Sequence, residues 1–422
     1  MQIIENNLLK EKVYIEKLEN GLTLICIPKE KTIKKYAVCA IGFGSNDNHF
    51  ITTDDKKELR IPDGVAHFLE HKLFEQEDGT NSLDTLSSLG VDANAYTTND
   101  HTAYLFECTK NFDEALEELL NYIQNPYFTD QNVEKEKGII EQEINMYDDD
   151  AESKLYINAM KAMYKENPIR IDVAGTVDSI KNISKEILYD TYNNFYVPSN
   201  MVIVTSGDFE PEKIFNQIKN KIKIENKIPA KRIETQEPLE INQKEIDENM
   251  EITVPIFIIG FKVNSEDKEK LKRSIAIEII LEIIIGPSSK LYEELYDNGE
   301  IFSGIIATFE WSKNYAHILI QGKSNNINKV EERLIKRIKE LKENGLQEKE
   351  FERAKRKIYG NYVRDFNEVG PIALLFASNY FRGINPFEYV ENYKIISKEY
   401  TENILKEVFD EKNMIKSSIN PY

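Results

Sequence analysis

A chain of 422 residues, 41% hydrophobic and 30% charged, has room for two domains or two fused repeats and the composition of a soluble globular protein. Its formal net charge of -19 argues against a phosphate-binding surface, which needs clustered Lys and Arg, so no nucleic acid partner is expected; no apolar run approaches the roughly 18 residues that span a bilayer. The charge either favours neutral or basic peptide segments as partners or serves solubility alone. The polar, acidic stretch 1–12 carries no secretory signal, and Cys26, Cys39 and Cys108 sit singly in apolar stretches, as suits buried thiols in a reducing cytoplasm.

In chain order, residues 13–28 alternate as a hairpin about Asn20-Gly21, and 36–45 reads as a strand ending in Gly42-Phe43-Gly44-Ser45. A polar, irregular stretch, 46–62, then leads into Gly64-Val65-Ala66-His67-Phe68-Leu69-Glu70-His71-Lys72-Leu73-Phe74. Pro62 and Asp63 signal a helix start, and at 100° per residue His67, Glu70 and His71 share one face. Val65, Ala66, Leu69 and Leu73 form an apolar stripe on the other. Two neutral imidazoles four residues apart reach one zinc ion and leave room for a third ligand and a water. The order H-x-x-E-H is the inverzincin signature, with Glu70 as the base.

Residues 83–89 read as a helix closed by Gly90, 91–97 and 102–108 as strands, and 113–124 as a helix stopped by Asn125-Pro126. Asp130 can cap the next helix, 131–147. On it Glu136, Ile139, Ile140, Glu143 and Tyr147 recur at helical spacing, which places two carboxylates in an apolar stripe. Such carboxylates serve a cation, either Lys or Arg or a metal. With two histidines already in hand, Glu143 is the expected third zinc ligand. Asp148-Asp149-Asp150 reads as a solvated acidic patch.

Further on, helix 184–195 precedes a strand at 200–206. Residues 221–249 are charged, contain Pro229 and Pro238, and read as a linker. The second half repeats the outline: strand 254–262, helix 274–285, short helix 290–296, strand material in 309–321, and helices from 330. Ile183-Ser184-Lys185-Glu186 followed by Asn200-Met201 matches Ile396-Ser397-Lys398-Glu399 followed by Asn413-Met414, sixteen residues from Ser to Asn in both. Residues 133–137 likewise parallel 351–355. The reading is a duplicated unit with a metal-bearing domain at 1–220, a linker at 221–249 and a homologous domain without metal at 250–422. Helix 274–285 has no histidine, and Asn361 stands at the position matching Glu143.

Taken together, these motifs, with Asn94-Ala95-Tyr96-Thr97, Thr102, Tyr104 and Asn125-Pro126-Tyr127-Phe128 in the same order, resemble the pitrilysin/insulinase family of zinc metallopeptidases in its short bacterial two-domain form. The resemblance implies an α+β protein of two homologous α/β domains, each an antiparallel-rich mixed sheet packed with helices, arranged as a clam shell. It implies one zinc ion per chain on His67, His71 and Glu143, Glu70 activating a zinc-bound water, and Glu136 as a supporting carboxylate behind the ligands. Asn94 and Ala95 would lie on an edge strand that pairs with an extended peptide. Active members carry an Arg and a Tyr in the second domain; here those positions hold Tyr296 and Phe302. The implied activity is zinc-dependent endopeptidase action on unfolded peptides, as a homodimer or with a paralogue. The alternative is a weakly active or inactive peptidase-like subunit that partners a paralogue.

Overall fold

The computed structural model describes residues 1–422 apart from 226, 266–268 and 303. In the first half the strands are β1 (Gln2–Asn6), β2 (Glu11–Lys17), β3 (Thr23–Pro28), β4 (Lys35–Ile41), β5 (His49–Ile51), β6 (Glu58–Arg60), β7 (Asp92–Thr97), β8 (Thr102–Cys108) and β9 (Met201–Gly207). The helices are α1 (Val65–Lys72), α2 (Ser82–Ser88), α3 (Phe112–Gln124), α4 (Asp130–Asp149), α5 (Ala151–Met163), α6 (Val177–Ile180), α7 (Lys185–Phe195) and α8 (Pro211–Lys221). The second half contributes strands β10 (Lys231–Arg232), β11 (Glu245–Met250), β12 (Ile256–Lys262), β13 (Ile306–Trp311), β14 (Ala316–Lys323) and β15 (Met414–Pro421). Its helices are α9 (Lys270–Ile285), α10 (Lys290–Asp297), α11 (Ile327–Asn344), α12 (Glu348–Asp365), α13 (Val369–Arg382), α14 (Phe387–Ile395) and α15 (Lys398–Val408).

Among the described residues two mixed, antiparallel-rich sheets form beside a small three-stranded antiparallel sheet, β10-β5-β6. The larger has the order β1-β2-β3-β9-β4-β8-β7, and only the β3–β9 pair is parallel. The smaller has the order β11-β15-β12-β14-β13, and only β11–β15 is parallel. From β3 onward the first sheet therefore repeats the second strand for strand. The matched sequence segments do the same job twice: Ser184 caps α7 and Ser397 caps α15, each an 11-residue helix followed by a short 3-10 turn and then an interior strand, β9 or β15. Strands β4, β9 and β12 are buried almost throughout, as strands covered on both faces must be, and their sequences are accordingly near-continuous apolar runs.

The chain forms two compact units, Met1–Ile144 with Asp172–Glu234 and Val363–Pro386, and Asn145–Ile171 with Thr235–Tyr362 and Phe387–Tyr422. Each completes its core with a helix from the other half of the sequence. In the first unit α13 packs on β4 and β9; in the second α5 packs on β12 and β15. Leu155, Ala159, Met160 and Met163 of α5 share a core with Ile256, Ile258, Ile415 and Ile419. Gly260 permits this approach, since a Cβ there would lie 2.7 Å from the Met163 methyl carbon.

The chain that follows α5 is tied down by a residue of the 221–249 segment. The Glu237 carboxylate accepts the backbone N–H groups of Lys165, Glu166 and Asn167 at 3.0, 2.8 and 2.7 Å and forms an ion pair with Lys262, the two side chains being 6% and 3% exposed. Among the described residues no helix is long and apolar enough to cross a membrane. Removing the carboxylate strands a buried ammonium and three N–H donors, so Glu237→Ala should lower the unfolding free energy by about 3–5 kcal/mol. Urea denaturation of the variant against the parent chain checks this.

Candidate metal centre

Helix α1 begins at Gly64, which takes a left-handed conformation, φ 94°, that an L side chain rarely adopts. A Cβ there would also lie 2.4 Å from the Ala174 carbonyl oxygen, so the backbone needs glycine twice over. Asp63 does not cap the helix; its carboxylate accepts a hydrogen bond from the Asn48 side chain at 2.9 Å. Val65, Ala66, Leu69 and Leu73 are buried, as the stripe predicts, and α1 packs on β7 and β8. The opposite face carries His67, Glu70 and His71, with the two rings 4.5 Å apart between centroids.

Helix α4 brings its carboxylates to that face. Glu143 places one oxygen 3.7 Å from His67 Nε2 and the other 3.6 Å from His71 Nε2. Those separations exceed hydrogen-bond range and are close to the roughly 3.5 Å expected between two ligand atoms about one tetrahedral ion with bonds of about 2.1 Å. His67, His71 and Glu143 each offer an atom within 4.8 Å of the others, the one such group of metal-ligating side chains among the described residues. Two imidazole nitrogens and a carboxylate are a zinc donor set that leaves coordination positions open.

Behind the trio, His71 Nδ1 lies 3.0 Å from Glu136 Oε1. That contact puts the ring proton on Nδ1 and leaves the Nε2 lone pair facing Glu143. Glu136 also lies 3.7 Å from the ammonium of Lys72, a fully buried lysine that pairs in addition with Glu75. The buried side of α4 is Asn132, Val133, Ile140 and Ile144; Ile139 and Tyr147, expected in the stripe, are exposed. Glu136 and Glu143 are therefore held at the edge of the apolar contact by the histidines and Lys72 instead of within a continuous greasy stripe.

Burial, then the charge of His71, depress the His67 pKa to about 4, which keeps this imidazole in the neutral form a metal requires. Burial would lower His71 too, but its hydrogen bond to Glu136 and the charges of Glu136, Glu70 and Glu143 outweigh that and raise it above its ordinary value. Burial raises Glu136, yet His71 and Lys72 prevail and hold it below the usual carboxylate range. Glu70 moves up, chiefly through burial, against a hydrogen bond that the Thr97 hydroxyl donates to its Oε2 at 2.6 Å. Thr97 in turn is 3.3 Å from the Thr102 hydroxyl, which donates to the Phe43 carbonyl at 2.9 Å.

The remaining expected site residues fall as follows. Asn94 and Ala95 lie on β7, the outermost strand of its sheet, with Asn94 exposed and Ala95 half-buried. Tyr296 closes helix α10 and is 56% exposed, its ring stacked on Tyr292; Phe302, just beyond, is 47% exposed. Sequence reasoning missed Lys72 and the part played by Thr97. A lysine directly after His71, in a helix whose other face is apolar, was the available signal for the first.

Residues 55–177 match the family described as insulinase (peptidase family M16), and 182–358 match the one described as the peptidase M16 inactive domain. The chain is 38% identical over 410 residues, 96% of its length and 95% of the relative's, to an uncharacterized zinc protease of Bacillus subtilis, YmfH. The crystal structure of an M16-like peptidase from Alicyclobacillus acidocaldarius superposes with a TM-score of 0.93 at 30% identity, covering 99% of this chain and 100% of that one. A more distant likeness, 26% identity over 203 residues, 47% of this chain and 40% of the relative, is to cytochrome b-c1 complex subunit 1 of Mus musculus.

In metal-free protein, His71 should titrate above the ordinary histidine range and His67 near pH 4, and Glu136→Gln should lower the His71 midpoint by removing the charge that raises it. A nitrogen-15 NMR titration of the imidazoles measures both.

Proposed function

Because the chain belongs to the insulinase family, peptidase family M16, we propose that it is a zinc-dependent endopeptidase of the cytoplasm that cleaves unfolded peptides, with His67, His71 and Glu143 holding one zinc ion and Glu70 as the base. The observation that carries the reading is the convergence of those three donors within 4.8 Å, beside Glu70 on the same helix face. When bound, zinc supplies Lewis acidity, bringing the pKa of a water to about 7 and polarising a carbonyl.

The protein's own groups supply the rest. Glu136 orients His71 by accepting its Nδ1 proton. Glu70, whose pKa burial raises above the ordinary carboxylate value, accepts a proton from the attacking water and returns it to the leaving amine nitrogen. The Thr97 hydroxyl fixes which carboxylate oxygen is occupied, leaving Oε1 for that exchange. An extended peptide adds to the open edge of β7 alongside Asn94 and Ala95, so only segments without their own secondary structure are accepted.

A second reading is a subunit that works with a second copy or a paralogue. It is favoured by Tyr296 and Phe302, since the first lacks a guanidinium and the second lacks a hydroxyl to meet charge developing on substrate. Similarity to a subunit of a respiratory complex also favours it. Zinc analysis of the purified chain, together with cleavage of a peptide library by the chain alone and with added paralogue, separates the two. Zinc present with no cleavage in any combination would sink the peptidase proposal.

Glu70→Gln should retain zinc and lower kcat by about 10²–10⁴, whereas His71→Ala should lose zinc and turnover together. Glu136→Gln should weaken zinc affinity by about 10–100-fold, read by competition with a chelator. Thr97→Val should lower kcat about tenfold at unchanged zinc content and nearly unchanged KM, and Thr97→Ser should restore it.

A further inference from the structure

The second half of the chain carries a pocket of about 390 Å³ at the topological counterpart of the metal centre. The metal centre is built where α1, β7 and α4 meet; by the strand-for-strand repeat their counterparts are α9, β13 and α12. The pocket is lined by Glu278, Leu281 and Ile285 of α9, by Thr308 and Phe309 of β13, and by Ile358 of α12. Its volume falls in the range of about 300–1,000 Å³ typical of pockets that hold small ligands or side chains. Like β7, β13 is the outermost strand of its sheet, so its free edge is open to an added strand.

The charges in the pocket are not balanced. Glu282, also on its wall, is answered by Lys357, whose ammonium sits 2.7 and 2.8 Å from its two oxygens, and accepts a further hydrogen bond from Ser288 at 3.2 Å. Glu278, one turn earlier on α9, has no ion pair with a cation among the described residues; it accepts a long hydrogen bond from the Tyr393 hydroxyl at 3.4 Å. Burial lifts its pKa to about 7, so at neutral pH it is poised to ionise fully when a cation arrives. Glu278 and Glu282 have the same four-residue spacing as His67 and His71, but in this half one of the two has already taken a protein cation.

We propose that this pocket binds the basic side chain of an extended peptide whose backbone lies along β13, the aliphatic stem against Leu281, Ile285 and Phe309 and the charged head at Glu278. The geometry selects this occupant because apolar walls ending in a carboxylate that only the Tyr393 hydroxyl is seen to meet among the described residues complement a lysine or arginine from stem to tip. A neutral apolar residue would fill the walls and bring the carboxylate no counter-charge. The choice of a peptide as occupant rests on the peptidase reading.

Binding is measured on the full-length, zinc-loaded Glu70→Gln chain, with a labelled extended peptide carrying one central lysine and with the same peptide carrying norleucine there. The lysine peptide should bind about tenfold tighter, and Glu278→Gln, added to that chain, should shrink the preference to within about twofold. Leu281→Trp, which fills the pocket, should remove the preference as well, and neither substitution should alter zinc content. Equal binding of the two peptides by the parent, no binding of either, or a preference that survives Glu278→Gln or Leu281→Trp overturns the proposal. If the unmutated chain cleaves no peptide while the Glu278-dependent preference persists, the peptidase reading fails and the pocket stands; cleavage without the preference is the reverse.

Discussion

Three carboxylates, Glu70, Glu136 and Glu143, converge on two imidazoles at the meeting of α1 and α4, and negative charge withdrawn from water on that scale must be answered by a cation. Protein groups answer part of it. Lys72 is buried beside Glu136 and Glu75, and His71 is biased toward its protonated form. Glu143 stands 3.7 Å from His67 Nε2 and 3.6 Å from His71 Nε2, beyond hydrogen-bond range of either. The local structure follows from keeping those groups together: a glycine that lets α1 start against Ala174, an apolar underside that fixes its rotation, and a hydroxyl from the edge strand on Glu70.

The same scaffold was used twice and filled differently. Both halves place a helix after the second strand of a repeated five-strand pattern, an edge strand beyond it, and a long helix that brings a third set of side chains. In the first half those elements carry His67, His71 and Glu143. In the second they carry Glu278, an internally neutralised Glu282–Lys357 pair, and Asn361 on the long helix. The second half keeps a concavity of about 390 Å³ at this place, lined by Glu278, Leu281 and Phe309. The two halves of the sequence trade helices, α13 packing on β4 and β9 and α5 on β12 and β15, so neither half covers its sheet with its own residues alone.

Much of this was legible because short-range physics sets it. The hairpin about Asn20-Gly21, the strands on either side of His101, and the serine-capped helices α7 and α15 depend on turn chemistry, alternation and capping that act within a few residues. The reading of α4 shows where that reasoning stops. Period alone placed Ile139 and Tyr147 with the two glutamates, whereas the packed face is rotated toward Val133 and Ile144. Helical spacing says which residues share a face but not which neighbour that face meets. Asp63 was read as a helix-start signal for the same reason: its side chain turns to Asn48, a partner fifteen residues back in the sequence that the local pattern cannot reveal.

What the sequence by itself determined is the chemistry of the metal-type helix and the existence of a repeat. The spacing of His67, Glu70 and His71 fixes their common face through helix geometry, and the two serine-to-asparagine spacings reproduce one structural unit through identical caps. What only the tertiary structure decided is every relation between residues far apart in the chain: Glu143 opposite both imidazoles, Glu136 behind His71 with Lys72 beside it, Thr97 on Glu70, and the helices traded between the halves. These depend on how side chains from separate elements share a small, poorly hydrated volume. Desolvation and pairing energies there are set by three-dimensional neighbours, and a linear pattern carries no term for them.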